Sequence, residues 1–304
     1  MKLKKILFVT DGVRDNVNAL EYLLSVCKVD ATNITLLAVM PALPKSLLGY
    51  SDKIKDDNLS GLKEELAEAS KGIECTNIKV DYEFMTADNA VRAILKKLEN
   101  SNYDCLIKVA EDKLGKHKGF EALDMTLIRK AICPIWILKG KYKVNERAIK
   151  LAVGIDAKLE TDESYTLAVR LLRYTDSLAK RFSVPLEIIS CWQSAVELAK
   201  NEPFVNLSKQ DIENDRKSTQ EYQLKTLTKL IAKSGIESEH IISQLNGDPD
   251  KKIPEYTSQT QISLLVMGSL SRTGIFGALI GNTAENVLSV LDCSTVIWPA
   301  KYFN

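Results

Sequence analysis

KKILFVTDG (residues 4–12) and IKLAVGIDA (residues 149–157) are two apolar stretches that each run into an aspartate, Asp11 in the first and Asp156 in the second. Three further pairs follow in the same order in both halves of the chain: ITLLAVMP (34–41) with LEIISCWQ (186–193), YDCLIKV (103–109) with ISLLVMG (262–268), and CPIWIL (133–138) with CSTVIW (293–298). A repeat spacing of about 145 to 160 residues is that of a whole domain. The sequence therefore predicts two copies of one domain in tandem.

Longer segments with apolar residues at helical spacing separate these stretches. The segments are 18–28, 55–72 and 91–99 in the first half, and 163–181, 211–234 and 283–291 in the second. Short strands that are apolar throughout suit a parallel sheet covered on both faces, and their alternation with helices gives β-α-β units. We therefore predict two doubly wound, Rossmann-like α/β domains, residues 1–142 and 146–304, each with a five-stranded parallel sheet.

The last apolar stretch of each half is the predicted contact between the two domains. Residues 135–138 and 295–298 are apolar and carry Trp136 and Trp298. We expect these tryptophans, and Trp192 at the end of another strand, to pack at the domain junction. The two halves should then face each other across a pseudo-two-fold axis as an intramolecular pseudo-dimer, joined by the polar segment 139–147.

Charge and hydropathy argue against two classes of partner. The chain has 41 basic and 40 acidic residues and a net charge of +1, so it has no general positive field for nucleic acid. No apolar run approaches the ~20 residues that span a bilayer. The first apolar stretch is interrupted by Asp11 and is too short for a secretory signal. We expect a cytoplasmic protein without a membrane span.

The sequence contains no recognisable catalytic or metal-binding pattern. The six cysteines form no C-x-x-C pair, and several lie in apolar strand-like runs, so we interpret them as small buried hydrophobic residues rather than redox or metal sites. His117 and His240 are the two histidines, and their surroundings resemble neither a zinc site nor a nucleophile–base pair. The sequence therefore favours a binding protein over an enzyme.

The candidate site is a glycine-rich segment that follows a predicted strand of the second half. It reads GSLSRTGIFGALIGNTAENVLSVL (268–291), and Gly281-Asn282-Thr283 opens a predicted helix. Backbone N–H groups in such a loop and at a helix N-terminus favour phosphate. Glycines also serve ordinary turns, and Asn282 or Thr283 could simply cap the helix. Both interpretations remain open on the residues alone.

The same segment resembles the phosphate loop of the universal stress protein family. That loop has the form G-x-x-G, nine residues, then glycine followed by Ser, Thr or Asn; here the positions are Gly268, Ser271, Gly281 and Asn282, so only Ser271 departs. GDPDKKI (247–253) also resembles the family. The resemblance implies an adenine-nucleotide site in the second domain, with ATP as the candidate ligand. The residues that it implies for the site are Asp156, Cys191, Met267, Gly268, Ser271, Gly281, Asn282 and Thr283.

The resemblance implies that Asp156 lies near the adenine and ribose of the nucleotide, and that the backbone at Cys191 contacts the adenine. The first half lacks the loop: Glu121 aligns with Gly281 and would repel a phosphate. We therefore expect a stress-response binding protein with nucleotide in the second domain only, and with a protein partner that the sequence does not identify. The alternatives are a nucleotide-free interaction scaffold or a protein that binds an apolar ligand, and, last, a slow ATPase.

Overall fold

The computed structural model describes residues 3–11, 16–28, 30–110, 122–139, 149–199, 208–269 and 281–299. Ten strands in these ranges form one sheet: β1 (Lys5–Thr10), β2 (Thr32–Pro41), β3 (Ile78–Ala87), β4 (Cys105–Val109), β5 (Ile135–Leu138), β6 (Leu151–Gly154), β7 (Leu186–Trp192), β8 (His240–Asn246), β9 (Leu264–Ser269) and β10 (Ser294–Pro299). The helices are α1 (Val17–Cys27), α2 (Ser51–Ala69), α3 (Ala90–Glu99), α4 (Ala122–Lys130), α5 (Asp162–Phe182), α6 (Ala195–Ala199), α7 (Lys209–Ser234), α8 (Pro249–Thr260) and α9 (Asn282–Val290), and a 3₁₀ helix spans Lys45–Tyr50.

The strand order explains where ligands can approach the sheet. It is β3-β2-β1-β4-β5 in the first half and β8-β7-β6-β9-β10 in the second, and within each half neighbouring strands are parallel. The chain reverses its direction of winding between β1 and β4, and again between β6 and β9. These are the switch points beyond which doubly wound domains bind ligands. The predicted fold class is confirmed.

The two five-stranded halves join edge to edge into a continuous sheet. β5 and β10 run antiparallel, with Trp136 opposite Val296. These are the stretches in which we expected the halves to meet. The pairing leaves β3 and β8 as the outer strands of the sheet. The predicted domain boundary between residues 142 and 146 lies outside the described residues.

Aromatic side chains fill the space beneath the junction. Trp136 is fully buried, and its Nε1 donates a hydrogen bond of 2.8 Å to the Tyr174 hydroxyl. Tyr174 also makes an edge-on contact with Trp298, with ring centroids 4.8 Å apart. Tyr22 packs edge-on against Trp136 from the first half. Burial raises the pKa of the Tyr174 hydroxyl well above its ordinary value, so this phenol remains a neutral hydrogen-bonding group within the core.

The expectation for the third tryptophan is wrong. Trp192 lies on β7, next to the outer strand β8 and three strands away from β10. Its position at the end of a strand is shared with the other two tryptophans, but the lateral position of a residue in a sheet depends on topology and not on where the residue falls in its strand.

In the ranges that the structure describes, no helix is both long and apolar enough to cross a membrane.

Candidate functional site

The candidate site lies at the carboxyl ends of β6, β7 and β9. Asp156 comes two residues after the end of β6 and is exposed, while Ile155 before it is buried. The Asp156 carboxylate accepts a hydrogen bond of 3.0 Å from the Lys158 backbone N–H, which fixes the turn that leads to α5. The structure therefore presents a carboxylate at the switch point, as we expected from the apolar stretch that ends there.

Cys191 lies near the end of the neighbouring strand, within the electrostatic range of three carboxylates. Burial raises the pKa of its thiol to about 12, and Asp156, Asp248 and Asp250 add to the effect while Lys252 opposes it. Asp156 and Cys191 are thus brought together. Asp248 and Asp250 belong to the segment 247–253 that resembles the family, but no pattern in the sequence indicates that their charges reach Cys191.

The N-terminal turn of α8 links this edge to α9. Asp248, just before α8, accepts a hydrogen bond of 2.7 Å from the Gln193 side chain. Asp250 accepts one of 3.3 Å from the side chain of Asn286 on α9. Gly247 precedes them with a φ of 132°, a conformation that favours glycine, and its N–H bonds to the Trp192 carbonyl at 3.0 Å. This glycine turns the chain from β8 into α8 so that its acidic first turn faces the site.

Gly268 has a packing role that the sequence did not reveal. The segment was expected to leave the strand after Met267, but β9 continues to Ser269. A Cβ atom at Gly268 would come within 2.7 Å of Leu167 Cδ2 and 3.1 Å of Leu171 Cδ1 on α5. The residue is therefore glycine because α5 packs directly on the strand at this point. Met267 beside it is buried.

Among the residues that the structure describes, no side chain caps the first turn of α9. Gly281 is the N-cap, with φ −60° and ψ 142°, and Asn282 is the first helical residue, so neither Asn282 nor Thr283 caps the helix as one alternative had it. Both side chains are exposed. The Gly281 carbonyl accepts the Glu285 N–H at 3.0 Å, and Ala284 packs into the core. Helix N-terminal N–H groups without a capping side chain suit an anion. Ser271 lies outside the described residues.

The corresponding place in the first half contains an internal ion pair. Lys108 aligns with Met267 and Asp124 with Ala284, and the Lys108 ammonium lies 2.7 Å from the Asp124 carboxylate with both side chains buried. Lys108 also donates to the Val109 carbonyl at 2.9 Å. Glu121, which we expect to repel a phosphate here, lies outside the described residues. The sign of the buried pair in the sequence is a lysine within an otherwise apolar strand.

A small cavity remains beside that ion pair. Its volume is about 50 Å³, and its lining includes Thr10, Asp11, Asn16, Lys108 and Val109. Since a water needs roughly 10–15 Å³ of such volume, the cavity has room for a few waters.

The remaining groups offer little reactive chemistry among the described residues. All six cysteines are free thiols, and burial raises the pKa of Cys27, Cys133 and Cys293 to about 12, which keeps them protonated and unreactive. The described ranges contain no cluster of three or more His, Cys, Asp or Glu side chains that could hold a metal ion.

Comparisons with known proteins agree with this architecture. Residues 150–299 match the model of the Universal stress protein family. The chain is 29% identical over 228 residues to the Universal stress protein E homolog of Haemophilus influenzae, covering 74% of this chain and 71% of that protein. It is 26% identical over 239 residues to Universal stress protein E of Escherichia coli K12, covering 74% and 70%.

Solved structures share the fold over nearly the whole chain. A functionally unknown protein from Pseudomonas aeruginosa PAO1 superposes with a TM-score of 0.73 at 20% identity, covering 98% of this chain and 93% of that one. A universal stress protein from Archaeoglobus fulgidus superposes with a TM-score of 0.64 at 19% identity, covering 99% and 100%. The fold, the family match and the named relatives support a role in stress response, and the chain belongs to the universal stress protein family as a tandem member similar to the E type.

Proposed function

We propose that the chain is a stress-response binding protein that holds an adenine nucleotide, with ATP as the candidate ligand, in its second half. The observation that carries the proposal is the uncapped first turn of α9 at the β6–β9 switch point. Gly281 adds no side chain there, so an anionic group can approach the backbone closely. The opposite side of the edge, at Asp156 and β7, presents oxygen acceptors.

This distribution of donors and acceptors matches the polarity of a nucleotide. Phosphate oxygens need N–H donors, which the backbone at 281–283 supplies, whereas the adenine amino group and the ribose hydroxyls can donate to Asp156 and to the backbone carbonyls near Cys191. Hydrogen bonds to charged groups contribute about 1.5–3 kcal/mol each. Two or three such bonds with the helix dipole are enough to hold a polyphosphate. The family loop suggests that Gly268 and Ser271 line the same phosphates.

The first half is proposed to remain free of nucleotide. Lys108 and Asp124 occupy its switch point, where the second half has Met267 and Ala284. Separating this buried ion pair costs several kcal/mol when it leaves one charge uncompensated, so the pair opposes a ligand at that place.

Calorimetric titration of the full chain with ATP and magnesium tests the proposal. We expect one site per chain, lost in Gly281→Glu, because that carboxylate would lie where the phosphates bind. Gly49→Glu is the matched control: it adds the same charge at an exposed glycine of the first half that has no neighbour within 4 Å of an added Cβ. It should leave the heat of binding unchanged, and thermal unfolding should show that both variants are folded.

The other outcomes favour other functions. Absence of heat from the unaltered protein would overturn the nucleotide proposal and favour an interaction scaffold or an apolar ligand. Equal heat from the unaltered protein and from Gly281→Glu would move the site elsewhere. Release of inorganic phosphate during the titration would reveal ATP hydrolysis and favour the slow ATPase. We propose binding without catalysis.

A further inference from the structure

One side chain of the first half reaches the first turn of α9. Arg129, in the last turn of α4, forms an ion pair with Glu285 on α9 through its Nη2 and the Glu285 Oε1 atoms. The side chains are 36% and 37% exposed, so the pair is half-buried at the contact between the two halves. Glu285 is the acidic residue of the turn that is proposed to face phosphate.

The internal repeat shows that this contact is not duplicated. Counting from the aligned Cys133 and Cys293, Arg129 corresponds to Ser289, and Glu285 corresponds to Met125. The counterpart contact would therefore involve Met125 and Ser289, which carry no charge. Met125 is buried, and the Ser289 hydroxyl donates to the Asn286 carbonyl within its own helix at 2.7 Å. Of these two equivalent contacts, only the one with a carboxylate on α9 therefore has a cation opposite it.

The charge of Glu285 has two opposing effects. A carboxylate in the first turn stabilises the helix through its dipole. The same carboxylate repels a phosphate bound at that turn, because like charges a few ångströms apart raise the free energy of the complex. The Arg129 guanidinium compensates the charge and holds the side chain toward the first half. Asp250, bonded to Asn286, is a second nearby carboxylate, and it has no such partner in the α4 helix.

We propose that Arg129 is a positioning residue for the nucleotide site of the other half. It neutralises Glu285 and so keeps the N-terminus of α9 attractive to the phosphates. The inference rests on the proposed function, because it assumes an anion at that turn. It also assigns a role to the first half: this half binds no nucleotide, but it sets the affinity of the half that does.

Four titrations with ATP and magnesium test the role of charge. We expect Arg129→Gln to weaken binding about three- to tenfold, since an uncompensated carboxylate would then face the phosphates. Glu285→Gln alone should bind as tightly as the unaltered protein or more tightly. The double variant Arg129→Gln/Glu285→Gln should return to within about twofold of the unaltered protein. Arg129→Lys, which keeps the charge, should lose less affinity than Arg129→Gln.

A purely structural role for the contact predicts different results. Both single variants would then weaken binding alike, and the double variant would show no rescue. Asp30→Asn is the matched control, because it removes the Arg181–Asp30 ion pair, which also joins the two halves. That pair lies beside the start of β2, at the amino ends of the strands and therefore away from the candidate site. It should leave the affinity unchanged. Raising the salt concentration should narrow the difference between Arg129→Gln and the unaltered protein.

The possible failures are distinguishable. If the unaltered protein binds ATP and Arg129→Gln binds equally well, the role of Arg129 is refuted and the proposed function stands. Lack of rescue in the double variant refutes it in the same way. If the unaltered protein binds no ATP, the proposed function fails, and the inference about Arg129 fails with it.

Discussion

The buried ion pair of the first half allows a quantitative test of its structure. The Lys108 and Asp124 side chains are 8% and 0% exposed, so both charges are almost entirely removed from bulk solvent. Removing one member of such a pair typically costs about 3–5 kcal/mol, because the other charge stays buried. We therefore expect Lys108→Met to lower the free energy of unfolding by about that amount, measured by urea denaturation followed by far-ultraviolet circular dichroism.

The double variant Lys108→Met/Asp124→Ala should recover most of this loss. It reproduces the residues found at the same positions of the second half, Met267 and Ala284, and replacing a buried pair by apolar side chains is often neutral or stabilising. We expect its stability to be within about 1–2 kcal/mol of the unaltered protein. Lys71→Met is the control, because the Lys71–Glu68 pair is 71% and 56% exposed and should contribute less than about 1 kcal/mol. A loss from Lys108→Met as small as that of the control would refute the reasoning.

Three further predictions concern packing, thiol ionisation and the junction. Gly268→Ala should destabilise the protein by about 1–3 kcal/mol, because the added Cβ would overlap Leu167. In the double variant with Leu167→Ala, the additional cost of Gly268→Ala should be smaller. An unchanged melting temperature of Gly268→Ala would contradict the close packing. Burial raises the pKa of Cys293 from 9.0 to about 12. Above about pH 9 the thiol therefore ionises in the unfolded chain but stays protonated in the folded one. The free energy of unfolding should then fall as pH rises, by at most about 1.4 kcal/mol per pH unit from this group. Cys293→Ala should show a shallower decline, and an unchanged slope would exclude this thiol as a source. Residues 1–145 expressed alone should expose Trp136, because its indole bonds to Tyr174 of the other half. The tryptophan fluorescence of this fragment should be red-shifted relative to that of the full chain, and its thermal unfolding should show no cooperative transition. Native-like emission would show instead that the first half folds by itself.

The fold was predictable because its buried strands are unambiguous in sequence. Strands such as β1 and β9 are apolar almost throughout and occur in the same order twice, which identifies both the class and the repeat. The outer strand β3 was not recognised. It has a neighbour on one side only and is half-exposed along its run IKVDYEFMTA. Partial exposure dilutes the apolar pattern by which a strand is recognised.

The candidate site was predictable only in part. Asp156 follows β6 and Cys191 lies near the end of the neighbouring parallel strand β7, so the topology alone brings them together at the carboxyl ends of the strands. The role of Gly268 could not be read from the sequence, because a glycine required by a packed helix and one required by a phosphate look alike. The Lys108–Asp124 and Arg129–Glu285 pairs join residues that are 16 and 156 positions apart. Such pairs depend on how helices dock, which periodicity does not specify.

The antiparallel pairing of β5 with β10 has a consequence for how the protein responds to dilution. If these strands belonged to separate chains, their association would follow mass action, and dilution would separate them. Here both strands lie in one polypeptide, so the sheet closes intramolecularly, with an effective concentration fixed by the connecting segment. The Arg129–Glu285 contact forms within the same molecule. Whatever binds at α9 therefore meets the same surface whether the protein is scarce or abundant in the cell.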